Sequence, residues 1–314
     1  MKLALGLDTS CYTTSVALMR QDGTLAADAR RPLVVKPGGR GLSQSEMVYQ
    51  HTRNLPMVFA DAMATVGEGI ELLAVGASVK PRPVEDSYMP AFLVGGGYGK
   101  VLALSHGVAC HGISHQENHI LAGIWSAGGP CADRFLAVHV SGGTTEVTAV
   151  DSSADGLTVT LLGGSLDIAA GQFIDRIGVT LGLPFPAGPE IERLARHGQD
   201  NPAAIPVTVE KCSVSFSGPE THARRLLDQG FAPAFVAAGL QRCIAEALTK
   251  MIRAAITATK RNDVLLVGGV GSNSYIRGHI AEGLAGDRAV SLYYPRIEYS
   301  GDNAVGAAYY ALSH

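Results

Sequence analysis

The chain opens with an apolar run at residues 3–8 that ends on an acid, Asp8. Such a run, bounded by turn residues, predicts a buried strand. A hydroxyl-rich turn, Thr9-Ser10-Cys11-Tyr12-Thr13-Thr14, separates it from a second strand at 15–19. Gln21-Asp22-Gly23 predicts a hairpin, with a third strand at 24–30. Residues 36–41 are rich in glycine and read as a flexible loop. From 43 to 66 the period lengthens to that of a helix, with Met47, Leu55, Val58 and Met63 apolar. A strand follows at 72–79, stopped by Lys80-Pro81-Arg82-Pro83, then a glycine-interrupted helix at 89–104 and a strand end at 108–110.

The small-residue stretch 126–130 predicts a boundary, dividing the chain into 1–128 and 129–314, with the last helix free to return to the first part. Beyond it the opening pattern recurs: strand 134–140, turn Ser141-Gly142-Gly143-Thr144-Thr145, strand 146–150, a glycine-bearing turn and strand 157–162. The repetition predicts an internal duplication. Each turn offers backbone N–H and hydroxyl donors suited to phosphate, which makes Thr9, Ser10, Ser141, Gly142 and Gly143 candidate contacts. Next come a helix at 165–181 with Asp167 and Asp175 on roughly one face, a break at 184–189, and a short helix through Ala195. A strand ending in a turn is expected at 213–220, and helices on either side of Pro233, the second reaching Thr259. Val264-Leu265-Leu266-Val267 is a buried parallel strand running into the glycine turn 268–273, the shape of a nucleotide contact at a strand's carboxyl end. It is not G-x-G-x-x-G and no acid follows at dinucleotide spacing, so it is not read as an NAD site. A terminal helix is expected at 304–312, with Asp302 as its cap on local evidence alone.

Composition bounds these elements. The chain has 314 residues, 46% hydrophobic and 17% charged, with 38 glycines, an α/β profile with many tight turns. Lys and Arg number 25 against 28 Asp and Glu, so no basic footprint for nucleic acid is visible. Five cysteines without a C-x-x-C pair indicate a reduced, cytoplasmic setting. The start is too soon acidic for a signal peptide, and no run has membrane-spanning length.

The chemistry concentrates at Ser114-His115-Gln116-Glu117-Asn118-His119. Ser114 and Glu117 form a capping box that starts a helix. Two histidines four apart then share one helix face and can reach one metal ion. The order differs from the H-E-x-x-H of zinc peptidases, no nucleophile triad is legible, and two ligands require a third from elsewhere.

Together these stretches resemble the tRNA threonylcarbamoyladenosine transferase family, long labelled O-sialoglycoprotein endopeptidases, over nearly the whole chain. Gly6-Leu7-Asp8-Thr9-Ser10-Cys11 is similar to its opening G-[IL]-[ED]-T-S-C, the histidine pair to its H-x-E-x-H, and Val140-Ser141-Gly142-Gly143 to its phosphate turn. Leu166-Asp167 with Ala169-Ala170-Gly171 and Asp175, Leu181-Gly182-Leu183-Pro184 with Gly188-Pro189, Ser215-Phe216-Ser217-Gly218, Gly268-Gly269-Val270 with Asn273, and Asp302-Asn303-Ala304 also match in order. The resemblance implies two duplicated RNase H-like α/β lobes of the actin/hexokinase/heat-shock-chaperone superfamily around a nucleotide cleft. It places a metal on His115, His119 and Asp302, a divalent or ferric ion with iron or zinc foremost. It places a nucleotide or acyl-adenylate of ATP/AMP type on Ser141, Gly142, Gly143, Asp175, Gly188 and Asn273. The implied reaction moves an L-threonylcarbamoyl group from threonylcarbamoyl-AMP to the N6 amine of an adenosine beside the tRNA anticodon.

Several positions depart from the family pattern near this chemistry. Tyr12 and Thr13 stand for an acidic pair, Thr144 for histidine, Ile168 for aspartate, Gln172 for glutamate and Glu220 for lysine, while Lys80-Pro81-Arg82-Pro83 replaces a glycine-rich stretch. Two other readings therefore stay open: a nucleotide- and metal-binding partner or regulator without transfer, and a carbamoyltransferase acting on a small molecule. The charge balance implies that tRNA is held only with partner proteins, in a homo- or hetero-dimer or larger complex, unless Arg40, Arg53, Lys80 and Arg82 cluster.

Overall fold

The computed structural model describes residues 1–35, 42–154, 156–286 and 289–314. The expected loop at 36–41, with Arg40, lies outside them. The described residues divide into two compact units, Met1–Gly128 with Gly301–His314, and Gly129–Ser300.

In the first unit, β1 (Lys2–Asp8), β2 (Thr13–Arg20) and β3 (Leu25–Pro32) form an antiparallel meander. α1 (Gln44–Val66) follows, its first turn capped by the Ser43 hydroxyl, which accepts from Glu46 N–H. β4 (Glu71–Lys80) pairs parallel with β1, and after α2 (Phe92–His106) β5 (Ala109–Ser114) pairs parallel with β4. The sheet order is β3-β2-β1-β4-β5. β5 runs straight into α3 (His115–Ala127).

The second unit repeats this plan. β6 (Arg134–Val140), β7 (Thr145–Ser153) and β8 (Gly156–Gly164) form the meander. Then come α4 (Ala170–Thr180), α5 (Gly188–Ala195), the short hairpin of β9 (Val209–Glu210) and β10 (Ser213–Val214), α6 (Ser217–Asp228) and α7 (Pro233–Thr259). β11 (Asp263–Val267) pairs parallel with β6, and after α8 (Ser274–Leu284) β12 (Ser291–Tyr293) pairs parallel with β11. The order is β12-β11-β6-β7-β8, the same topology as in the first unit. The expected duplication is therefore a duplication of sheet connectivity. β12 was not foreseen, because three residues give no periodicity to read.

Three expectations need correction. The helix expected at 165–181 begins only at Ala170. Residues 165–166 bridge to Val214 instead, and the Asp167 carboxylate accepts from Ile168 and Phe216 N–H groups, so the backbone there is committed to other partners. The strand expected at 213–220 is two residues long, and Ser217 already starts α6. Asp302 does not cap the terminal helix, α9 (Val305–Ser313). Ala304 stands at the N-cap without a side-chain bond, and the Asn303 side chain accepts from the first helical N–H, that of Val305, at 2.9 Å.

α9 belongs with the first unit and packs on its sheet at very short range. A Cβ at Gly6 would fall on the Ala304 carbonyl, one at Gly76 on the Ala307 carbonyl, and one at Gly306 on the Asn118 carbonyl. Glycine is needed at all three for backbone to meet backbone, and this closeness brings Asp302 within reach of α3. Leu3, Leu5, Leu7, Val16, Leu18, Leu55, Val58 and Val75 fill the apolar layer against α1 and α2. In the second unit α7 is the central helix, and 15 of its 27 residues are buried.

Gly76→Val should therefore destabilise the protein by roughly 1–3 kcal/mol or more, as overpacking against rigid backbone does. Gly97→Ala, on α2 with nothing within 4 Å of the new methyl, should stabilise it by about 0.5–1 kcal/mol through helix propensity. Denaturant melts check both, and equal midpoints for the two variants would contradict the close approach of α9.

Candidate metal centre and nucleotide turns

The first site is built from a strand end, a helix start and a returning segment of one unit. Ser114 accepts from Glu117 N–H at 3.2 Å while the Glu117 carboxylate accepts from Ser114 N–H at 2.7 Å. This reciprocal cap fixes the first turn of α3 and sets His115 and His119 on one face. Their Nε2 atoms stand 3.1 Å apart. Asp302 Oδ1 is 3.6 Å from His115 Nε2 and 3.5 Å from His119 Nε2. Two imidazole nitrogens facing each other at 3.1 Å have room for one proton or one cation between them, not for two N–H groups. The three donors form a set that fits a single ion: two imidazoles and one carboxylate with other positions open, the pattern of non-haem iron sites and also suited to zinc. The Asp302 side chain is 24% exposed, which leaves that side accessible.

Behind the ligands stands Asp8, fully buried at the end of β1. Its Oδ1 accepts from Ser10 N–H at 2.8 Å, and its Oδ2 accepts from Ser78 Oγ at 2.8 Å and Asn118 Nδ2 at 2.8 Å, and faces His115 Nδ1 at 3.0 Å. Burial works against its ionised form, but His115 and these donors outweigh it and lower the pKa. With Nδ1 of His115 engaged by a carboxylate, the Nε2 lone pair is directed at the ligand point, the usual carboxylate–histidine arrangement behind a metal. Burial likewise opposes the charged form of His115, yet the Asp8 carboxylate raises its pKa well above the ordinary histidine value. His119 moves the other way, lowered by burial and by its neighbour His115. Asp302 is held low despite burial, by the two histidines and the Tyr12 backbone N–H.

Asn118 ties the parts together. Its Nδ2 also donates to the Asn303 carbonyl at 2.6 Å, and its Oδ1 accepts from Ala307 N–H at 2.8 Å. One buried amide thus joins β1, α3 and the segment that carries Asp302. Asp8, Asn118 and Ser78 were not assigned a role from the sequence. The readable signal was an acid closing an apolar strand, which has no solvent to ionise into and must have partners. Thr9 and Ser10, offered as a phosphate turn, are fully buried. Thr9 Oγ1 donates to the Ala91 carbonyl and accepts from Gly95 N–H, both at 2.9 Å, so this hydroxyl is spent on holding α2.

The second unit carries the other candidates. The Ser141 hydroxyl accepts from Gly143 N–H at 3.4 Å and Thr144 N–H at 3.2 Å, shaping a turn whose backbone is exposed at Gly142 and Gly143. A Cβ at Gly171 would strike the Ser141 carbonyl, and one at Gly268 the Val140 carbonyl. These two glycines let the start of α4 and the turn after β11 press against the Ser141 turn. Helix starts and exposed turn amides favour anions. Asp175, on α4, accepts from Ala187 N–H at 2.7 Å and so holds the start of α5, where Gly188 lies. Burial raises the Asp175 pKa. Asn273 caps α8, with Oδ1 accepting from Ile276 N–H at 3.0 Å, and next to it Ser274 N–H donates to Glu192 of α5 at 3.0 Å.

Several departures are absorbed by packing. Ile168 enters the core of the second unit, and Gln172 Oε1 accepts from Ala169 N–H at 3.0 Å, capping α4 as an acid would. Glu220 is 6% exposed and ion-paired with Arg224 one turn on. Asp167 was expected on the helix. It sits instead in the preceding turn, accepting from Ser217 Oγ at 2.5 Å and from Ser215 Oγ. Burial opposes its charge, but these donors hold its pKa far below the carboxylate range.

A family model described as tRNA N6-adenosine threonylcarbamoyltransferase matches residues 35–309. The chain is 34% identical over 324 residues to a protein of that name from Moorella thermoacetica, covering 98% of this chain and 91% of the relative. It is 30% identical over 312 residues to the one from Methanopyrus kandleri, covering 98% and 86%. A ROK family glucokinase from Streptomyces griseus superposes with a TM-score of 0.54 at 12% identity, over 99% of this chain and 100% of that one. Such neighbours place both units in the actin/hexokinase-type α/β fold.

Replacing His115 and His119 together by alanine should abolish metal uptake, read as metal content of the purified protein, without unfolding it. Asn118→Ala should keep the ligands but weaken metal affinity about 10–100-fold, as loss of a supporting partner does, and cost roughly 1–3 kcal/mol for the amide and carboxylate left short of partners. Undiminished metal in the double alanine variant would show that the three side chains are not the site.

Proposed function

The chain belongs to the tRNA N6-adenosine threonylcarbamoyltransferase family, and we propose that it transfers an L-threonylcarbamoyl group from threonylcarbamoyl-AMP to the N6 amine of a tRNA adenosine beside the anticodon. As a member of that family it is a transferase acting in tRNA modification. The finer reading rests on one observation: His115, His119 and Asp302 bring one ligand atom each to within 4.8 Å of one another.

These three residues would hold one divalent or ferric ion, iron or zinc. When bound, such an ion acts as a Lewis acid toward a carbonyl or phosphate oxygen. Asp8 keeps His115 in the orientation that offers Nε2, and Asn118 keeps Asp302 opposite. Ser141, Gly142 and Gly143 with the start of α4 receive phosphate, while Asp175, Gly188 and Asn273 address the nucleoside. The donor is a mixed anhydride and already activated, so holding the two reactants in register supplies much of the rate.

A second reading, a nucleotide- and metal-binding partner without transfer, is favoured by Glu220. A lysine expected at that position is replaced by an acid already ion-paired with Arg224. Single-turnover transfer from threonylcarbamoyl-AMP to unmodified tRNA, scored by mass spectrometry of the nucleosides, separates the two. Transfer that is lost on chelation and restored by the metal is the expected result. Loaded protein that binds the adenylate but returns unmodified tRNA would replace the first reading by the second. No helix among the described residues is long and apolar enough to cross a membrane.

A further inference from the structure

The second unit contains a cavity of about 560 Å³ that includes none of the residues discussed above. Leu162 of β8, Lys211 and Cys212 of the β9–β10 turn, and Lys250, Arg253, Ala254, Thr257 and Ala258 of α7 line it. The α7 residues recur at helical spacing and so form one stripe, and Lys250, Arg253, Thr257 and Ala258 on it are exposed. The floor is apolar, from Leu162, Ala254 and Ala258. Three cations rim it, the Arg253 guanidinium donating from Nη2 to the Gly283 carbonyl as well, and no carboxylate is among the lining residues.

Lys211 is held there at a conformational cost. Its φ is +54°, in a two-residue hairpin turn whose first position favours glycine. The turn is pressed on β8, since a Cβ at Gly163 would strike the Cys212 carbonyl. A lysine kept where glycine fits better, aimed at a cavity already bearing Lys250 and Arg253, is a placement of charge rather than a turn preference.

We propose that this cavity docks the sugar–phosphate backbone of an RNA strand, with the three cations on phosphates and the apolar floor under a sugar or base. The volume lies in the range of nucleotide-sized pockets, and a cationic rim over an apolar surface is how sequence-tolerant strand binding is built. The occupant rests on the transferase reading, because a tRNA substrate is what brings such a strand to this chain. Charge complementarity reconciles tRNA as substrate with a chain whose net charge is −3: the positive charge is local, assembled from positions distant in sequence.

The test uses the full chain and a fluorescent tRNA transcript, with affinity followed from low to physiological salt. The triple variant K211Q/K250Q/R253Q should bind more weakly throughout, and the slope of log affinity against log salt should become shallower by about 3, roughly one per phosphate contact. Lys211→Gly should lose about one unit of slope while retaining the wild-type melting temperature, since glycine suits that backbone. Wild-type affinity and slope in the triple variant, or no tRNA binding by the wild-type chain at low salt, would overturn the proposal. So would AMP binding by the wild-type chain that the triple variant loses, which assigns the cavity to a free nucleotide. Single-turnover transfer run in parallel keeps the two readings apart. Transfer with unchanged RNA affinity in the triple variant rejects the cavity and keeps the enzyme. RNA binding through the three residues without transfer keeps the cavity and rejects the enzyme.

Discussion

A carboxylate with no access to water holds the first unit's site together. Asp8 is fully buried, and an ion in that position is tolerated only if its oxygens are fully engaged. Its donors come from the turn after β1, from β4 and from two positions of α3. Meeting that demand fixes the register of β4, the rotation of α3 and the ring orientation of His115 together. Asn118 extends the constraint to α9, because the same amide that serves Asp8 also binds the backbone on either side of Ala304. The distances among His115, His119 and Asp302 follow from satisfying one buried acid.

The duplicated sheet carries two different uses of one junction. In each copy the first strand ends in a turn leading to an antiparallel neighbour. In the first copy that turn is Thr9-Ser10, buried, with the Thr9 hydroxyl spent on α2 and the Ser10 N–H on Asp8, and the strand's last residue, Asp8, is an acid that engages His115. In the second copy it is Ser141-Gly142-Gly143, without side chains at two positions and with exposed backbone. Side-chain size at the turn decides whether the strand end faces inward to organise ligands or outward to offer amides. Same-order turns in a sequence therefore need not have the same function, and the hydroxyls of the first copy illustrate it.

The fold was legible where local signals agreed. Strand runs closed by turns, the helical period at 43–66, the capping box at Ser114 and the glycine turn after β11 all lay in contiguous residues, and they predict the elements observed. The candidate metal ligands were half legible. His115 and His119 declare themselves by spacing, but Asp302 looks locally like a helix cap and joins them only through the close packing of α9, which depends on Gly6 and Gly76. The helix read from 165 shows the opposite failure. Its periodicity was real, but Asp167 is drawn to donors some fifty residues away at Ser215, Phe216 and Ser217, and tertiary hydrogen bonds outweighed propensity. The cations at Lys211, Lys250 and Arg253 were illegible for the same reason: no run of basic residues records a cluster assembled by folding.

Some departures from the family pattern are absorbed by local structure. Three exchanged positions of the second unit, Ile168, Gln172 and Glu220, have local structural replacements. Gln172 performs the cap of an acid, because a neutral amide oxygen accepts the Ala169 N–H as a carboxylate would. Ile168 adds to an apolar core, and Glu220 finds its counter-charge one turn away. Each exchange can be balanced by neighbours within the same element or core. Asp8, Asn118, His115, His119 and Asp302 have no such latitude, because each serves partners on at least two elements at once. Replacing one leaves a buried group on another element unsatisfied, a penalty on the order of 1–3 kcal/mol per group. The first unit's buried cluster is in this sense over-determined by folding stability, while the exchanges at Ile168, Gln172 and Glu220 in the second unit stay local.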